Sequence, residues 1–199
     1  MRTPTLLAAI AALGAFAPPA TAQQKIDLRT AEGVKAVKGE WRYHDVKLVE
    51  ADGKGPDGKP NKTYSIEPKA GASDYKDDGW EVLDPKTLGK PRAGGQVCFC
   101  WYRLKVTLPE GVEGKTVRFA TTVDDYGEVW VDGQLPRKLG DSGGPVVAGF
   151  NAPNVVELKD PKPGKTYQLA VFGINGPISA TPGNWIFLRD TYIEVIDKK

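Results

Sequence analysis

The chain has 199 residues, with 27 Lys and Arg against 25 Asp and Glu, a formal net charge of +2. The two signs are interleaved along the sequence, which excludes the concentrated basic face of a nucleic-acid binder. One histidine and two cysteines leave no Ser-His-Asp constellation and too few ligands for a Cys/His metal site.

Residues 1–22 read as a secretory signal peptide. Arg2 precedes an apolar run from Leu6 to Phe16, Pro18-Pro19 breaks it, and Ala20-Thr21-Ala22 supplies an Ala-x-Ala cleavage signal. The run is short for the ~30 Å hydrocarbon core of a bilayer, and no later stretch reaches ~20 apolar residues. The expected product is residues 23–199, a single domain without a membrane span, secreted or periplasmic. With 23 glycines, 16 prolines and almost no 3.6-residue periodicity, an all-β class follows.

In chain order, Thr30-Ala-Glu-Gly opens one short helical turn, which Gly33 weakens. Glu40 to Glu50 reads as one strand with a bulge near His44-Asp45. Asp52 to Lys62, rich in Gly and Pro, reads as a long exposed loop. It lacks the alternating oxygen ligands of a calcium loop, and Asn61-Lys62-Thr63 is a glycosylation sequon. Tyr64 and Ile66 mark a short strand, Gly71 to Gly79 a loop, and Lys86 to Gly95 a basic connection.

The strongest signal lies between Cys98 and Gly133. Tyr102, Leu104, Val106 and Leu108 alternate with polar residues, as do Val117, Phe119, Thr121 and Val123, and then Val129 and Val131. Period-two alternation gives each strand one face to bury. Asp124-Asp125-Tyr126-Gly127 reads as a tight hairpin reversal. If Tyr102 faces the core, Phe99 and Trp101 face outward, under a covering loop or at an interface. Cys98 and Cys100 share one face about 6.5–7 Å apart, at or beyond the usual disulfide limit, so buried thiols and a strained bond both stay open. Val155 to Leu158 is a short strand, Tyr167 to Phe172 a firm one, and Ile186 to Ile196 closes the domain as a bent strand. Eight or nine strands with long crossing loops predict two packed sheets, a jelly-roll β-sandwich.

These residues also carry a resemblance. Asp-Asp-Gly-Trp-Glu-Val at 77–82, Trp101-Tyr102-Arg103 with Leu108-Pro109, Val-Asp-Asp-Tyr-Gly-Glu-Val-Trp-Val-Asp-Gly at 123–133 and Gly143-Gly144-Pro145 resemble the sugar-binding domain of family-2 glycosidases, the β-galactosidase and β-glucuronidase group. Lys-Gly-Glu-Trp-Arg-Tyr at 38–43, Pro-Asn-Lys-Thr-Tyr at 60–64 and Ala-Val-Phe-Gly-Ile-Asn-Gly-Pro-Ile-Ser at 170–179 resemble a module of secreted gluconolactonase-like proteins. The resemblance implies a galactose-binding-like jelly roll accompanying a hydrolase. Neither the glycosidase barrel nor the lactonase propeller has a counterpart in these residues, so no catalytic residue, cofactor or metal is carried over. Asp132 also stands where the glycosidase hairpins often have Asn.

Strand direction selects a surface. The strand near Trp101 leaves one end of the sandwich and the next returns to it at Val123. The turn Asp124-Asp125-Tyr126 and, by the resemblance, the loop 174–185 share that end. Asp124, Asp125, Tyr126, Asn175, Asn184 and Trp185 are thus the candidate ligand-binding residues: an aromatic face stacks on a sugar ring while Asp and Asn bond its hydroxyls. The same residues also serve ordinary turns and core edges. Trp41, Trp80, Trp101 and Trp130 read as packing residues. Adjacent carboxylates do not flank a bond as glycosidase chemistry requires. The expected function is therefore a non-catalytic carbohydrate-binding module, and the alternative a structural or partner-docking domain for a secreted hydrolase or lactonase.

Overall fold

The structure is a computed structural model that describes residues 23–95, 97–136, 151–176 and 183–198. The predicted leader, the Gly143-Gly144-Pro145 motif and half of the loop 174–185 lie outside the described residues.

The strands are β1 (Gln23–Asp27), β2 (Trp41–Asp45), β3 (Lys47–Lys54), β4 (Pro60–Glu67), β5 (Glu81–Leu83), β6 (Arg92–Gly95), β7 (Cys98–Thr107), β8 (Thr116–Asp124), β9 (Tyr126–Val131), β10 (Pro153–Glu157), β11 (Thr166–Asn175) and β12 (Asn184–Ile196), with one helix, α1 (Ala31–Ala36). One sheet has the order β5-β2-β7-β11-β9. The other runs β1-β12-β8-β10, with β6 also pairing β12, and β3 and β4 form a separate ribbon. All pairings are antiparallel. The all-β sandwich expected from the alternation is what forms. From β7 onward each strand lies in the opposite sheet from the one before it, the crossing pattern of a jelly roll.

The core follows from alternation. Tyr102, Leu104 and Val106 of β7 and Leu169 and Val171 of β11 meet Val117, Phe119 and Val123 of β8 and Ile186, Leu188 and Ile193 of β12. These side chains are essentially removed from water, and such burial is the main favourable term in folding. Helix α1 starts as its sequence requires: the Gly33 N–H donates to Thr30 Oγ1 at 3.0 Å. Gly33 supports the helix rather than weakening its placement, because a Cβ there would fall 1.9 Å from the Asp27 carbonyl oxygen.

A second cluster sits on the outer face of the β7-containing sheet. Trp80, Trp101, Ala170 and Phe172 pack with Val46 and Ala70, and Phe99 and Trp130 join them. Phe99 and Trp101 do face away from Tyr102, and the chain's own segment after β4 covers them. The Trp101 indole N–H donates to the Pro68 carbonyl at 2.8 Å. Arg103, only 1% exposed, holds this cover. Its guanidinium donates to Asp77 Oδ2 at 2.7 Å, to the Ala70 carbonyl, to the Ala72 carbonyl at 3.0 Å and to the Tyr75 carbonyl at 3.4 Å.

Several expectations are corrected. The Asp124-to-Gly127 reversal is not a paired hairpin: β8 pairs β10 and β12, whereas β9 pairs β11. Alternation shows which face a strand buries, not which strand it joins. Here Gly127 packs so closely on Val123 that a Cβ would lie 2.4 Å from Val123 Cγ2, and the chain crosses between sheets. The strand drawn from Glu40 to Glu50 is two strands. Val46 breaks it, donating its N–H to the Phe99 carbonyl at 2.9 Å and burying its side chain under the outer cluster. The loop drawn from Asp52 to Lys62 is mostly strand. Only a short turn remains, closed by the Gly55 N–H on the Lys59 carbonyl, with Gly58 at φ +77. The connection Lys86 to Gly95 contains β6.

Candidate functional site

Strand ends assemble one rim of the sandwich. β7 begins at Cys98, β8 ends at Asp124, β9 begins at Tyr126, β11 ends at Asn175 and β12 begins at Asn184. Register fixes their proximity: Asn175 lies opposite Cys98, Ile174 opposite Tyr126, Phe187 opposite Asp124, and Asn184 opposite Gly95. The six candidate residues therefore share this rim, but their environments differ sharply.

Trp185 is the exposed member, at 49%. Its ring stands over glycines: a Cβ on Gly183 would come within 2.9 Å of it and one on Gly94 within 3.7 Å. Its carbonyl accepts the Asn175 side-chain N–H at 2.6 Å. Asn175 itself is 5% exposed, and its Oδ1 is buried with no hydrogen-bond partner among the described residues. An unpaired buried acceptor is costly, of order 1–3 kcal/mol, so this atom calls for a donor.

Asp125 is 8% exposed. Continuing the β9–β11 register one step beyond Tyr126 brings it level with Asn175. Its backbone carbonyl accepts the Asn151 N–H at 2.9 Å. Burial first, then a hydrogen bond with Asp124 and repulsion from its charge, pushes the carboxyl up to about 6, while Arg189 acts in the opposite sense. Asp124 is held by Arg189, Nη2 to Oδ2 at 3.1 Å. The peptide bond between the two aspartates is cis. Asn151 Oδ1 is a further buried acceptor without a partner among the described residues. Asn154 braces the start of β9, its Nδ2 donating to the Gly127 carbonyl at 3.0 Å.

Beneath the rim lie the two cysteines, buried and unbonded. Cys98 points its thiol at the Asn184 carbonyl, 3.9 Å away. Burial, with the charges of Asp125 and Asp45, pushes the Cys98 thiol up to about 11, and burial raises Cys100 well above its ordinary value. Both are protonated, hence poor nucleophiles, at neutral pH. Tyr43 and Tyr102 are likewise raised, chiefly by burial. His44 is exposed, with its ring 5.1 Å from that of Trp80, and takes no part in the rim.

Sequence reasoning missed Arg189, Asn151, Gly94 and Gly183. Arg189 reaches Asp124 diagonally across the β8–β12 pairing, and Gly94 lies on β6, so both depend on pairings that alternation does not specify. A separate groove of about 450 Å³ lies at the far end of the sandwich, lined by Val131, Leu135, Pro136, Val156, Lys165 and Tyr167. Among the described residues no three His, Cys, Asp or Glu side chains converge as a metal set would.

No protein-family model and no curated protein matches this chain. Among solved structures, Bacteroides uniformis β-glucuronidase is similar at 16% identity with a TM-score of 0.52. A calcium-binding mutant of Bacteroides uniformis β-glucuronidase 2 is similar at 16% identity with a TM-score of 0.50. Each match covers 88% of this chain and 18% of the glucuronidase. At that identity the likeness is one of fold: this chain has the architecture of a β domain found within these much longer glycosidases.

Proposed function

We propose that the chain is an exported, non-catalytic carbohydrate-binding module whose ligand sits on the rim formed by Asp124, Asp125, Tyr126, Asn175, Asn184 and Trp185. One observation carries this reading: Trp185, whose indole is exposed, is tied through its backbone carbonyl to Asn175, whose buried Oδ1 has no donor among the described residues. A stacking surface next to directional acceptors is what a sugar ring with its hydroxyls requires. The fold shared with part of two β-glucuronidases is consistent with it, and the leader-like residues 1–22 support export. A binding role suits the carboxylates better than hydrolysis, because Asp124 and Asp125 are neighbours at the turn that ends β8 and do not flank a scissile bond from two sides. Affinity electrophoresis of residues 23–199 in gels containing different polysaccharides tests this. Retardation by at least one glycan, abolished in Trp185→Ala at unchanged thermal stability, is the expected result. Free migration in every gel contradicts it.

A second reading, docking onto a partner hydrolase or lactonase, draws on the β3–β4 ribbon. The ribbon stands outside both sheets and exposes Leu48 at 52% and Tyr64 at 74%. The face around Phe99 and Trp101 does not serve this role, since the chain covers it itself. Loss of co-purification with a hydrolase on replacing Leu48 and Tyr64 by Ser supports docking; retention removes it.

A further inference from the structure

The chemistry of the rim also constrains which sugar it takes, given the carbohydrate-binding reading above. The buried polar atoms of the rim that lack a partner among the described residues are acceptors. Asn175 gives one amide N–H to the Trp185 carbonyl at 2.6 Å, and its Oδ1 stays buried without a partner among the described residues. Asn151 Oδ1 is buried and equally without a partner among the described residues. Asp124 and Asp125 add carboxylates. Arg189 faces them from β12, and it is already engaged with Asp124 at 3.1 Å. Asp125, 8% exposed, therefore has no cation of its own among the described residues.

From this we infer that the rim selects a sugar bearing an ammonium group, a free hexosamine, over its N-acetylated form, and excludes uronic acids. An ammonium supplies donors without acceptors. It satisfies Asn175 Oδ1 and the Asp125 carboxylate together, and bonds between ionised partners are roughly twice as strong as neutral ones. An N-acetyl group offers one N–H, carries no charge for the Asp125 carboxylate, and brings a carbonyl that needs a donor of its own. A uronate brings a third carboxylate beside two, and Arg189, the guanidinium that faces them among the described residues, is already engaged. Burial keeps the Asp125 carboxyl near 6, so it is largely ionised at pH 7, where an amine of ordinary basicity, about 7.7, is still mostly protonated. The chain as a whole carries a net charge of +2, so general attraction to a cation does not produce the same preference.

The test is calorimetric titration at pH 7.0 and 150 mM salt with three disaccharides: the glucosamine dimer, its di-N-acetylated form and a galacturonic acid dimer. The amine form is expected to bind about tenfold more tightly than the N-acetylated form, and the uronate most weakly. In Asp125→Asn the ratio between the first two falls towards one. In Asp160→Asn, which removes an exposed carboxylate at the far end of the sandwich, the ratio stays at its wild-type value. Uronate binding as tight as the amine form, or a wild-type ratio retained in Asp125→Asn, overturns the inference; the wild-type order decides it even if the variant proves unstable. Binding of all three without preference leaves the carbohydrate reading intact and removes this one. Binding of no glycan, in this titration and in the gels alike, removes both.

Discussion

Replacing Arg103 by Met removes the post that holds the outer cover in place. The side chain is 1% exposed and makes its bonds to Asp77 and to the carbonyls of Ala70, Ala72 and Tyr75. Met fills much of the volume but leaves those acceptors without a donor. Breaking a buried charge pair by removing one partner costs about 3–5 kcal/mol. The cover has an escape, because the segment can lift and hydrate its carbonyls. Lifting exposes Trp101 and Ala70, now 2% and 0% exposed, at about 25 cal/mol per Å² of apolar surface, so the two routes cost similar amounts. Urea unfolding of Arg103→Met should therefore show a loss of about 3–5 kcal/mol, with a gain in binding of a hydrophobic dye at low urea. Asp77→Asn, which keeps an acceptor for the guanidinium, should lose only about 1–2 kcal/mol. A loss below about 1 kcal/mol in Arg103→Met, with no added dye binding, would refute the view that this arginine secures the outer cluster.

Asp125→Asn should change stability in a pH-dependent way. A carboxyl raised from 3.8 to about 6 in the folded protein holds its proton more tightly when folded, so its contribution favours folding at low pH and is lost as pH rises through about 6. At about 1.4 kcal/mol per pH unit the ceiling is about 3 kcal/mol, and screening at the rim reduces it to about 1–2. The variant should match wild type at pH 4 and exceed it by that amount at pH 7.5 in urea titrations; an equal difference at both pH values would be contrary. Gly127→Ala drives a methyl into Val123, 2.4 Å from Cγ2, and should cost about 1–3 kcal/mol, whereas Gly79→Ala, with nothing within 4 Å, should stay within about 0.5 kcal/mol; thermal denaturation of both compares them. Cys98 and Cys100, buried with raised thiol pKa values, should resist a thiol-specific chromogenic reagent at pH 8 until urea unfolds the chain. Rapid labelling of the folded protein would show the burial to be wrong.

Much of the sandwich is legible from single strands. Alternation along β7, β8, β11 and β12 marks the faces that meet in the core, and Thr30 marks the start of α1. Pairing is not legible, because it depends on distant residues. Nothing within Asp124–Gly127 indicates that Val123 and Tyr126 belong to different sheets. β6, Arg-Ala-Gly-Gly, has no apolar alternation at all, and pairing with β12 alone makes it a strand. The rim was reachable because strand direction places the turn Asp124-Asp125-Tyr126 at one end of the sandwich and the resemblance places the loop 174–185 there. Burial within it was not: Asp125 and Asn175 look like ordinary turn residues in the sequence, and only the two sheets closing around them remove them from water. Arg103, read as a polar residue between apolar neighbours, gives no sequence sign that backbone carbonyls from another loop surround it.

Glycan binding at the rim is tested residue by residue by titrating the ¹⁵N-labelled protein with the tightest-binding oligosaccharide and following backbone amide and indole resonances. Shifts are expected at the Trp185 indole and at Gly94, Asp125, Tyr126 and Asn175, with the far groove around Lys165 and Tyr167 unchanged. Shifts confined to that groove, or spread along the β3–β4 ribbon, would contradict it.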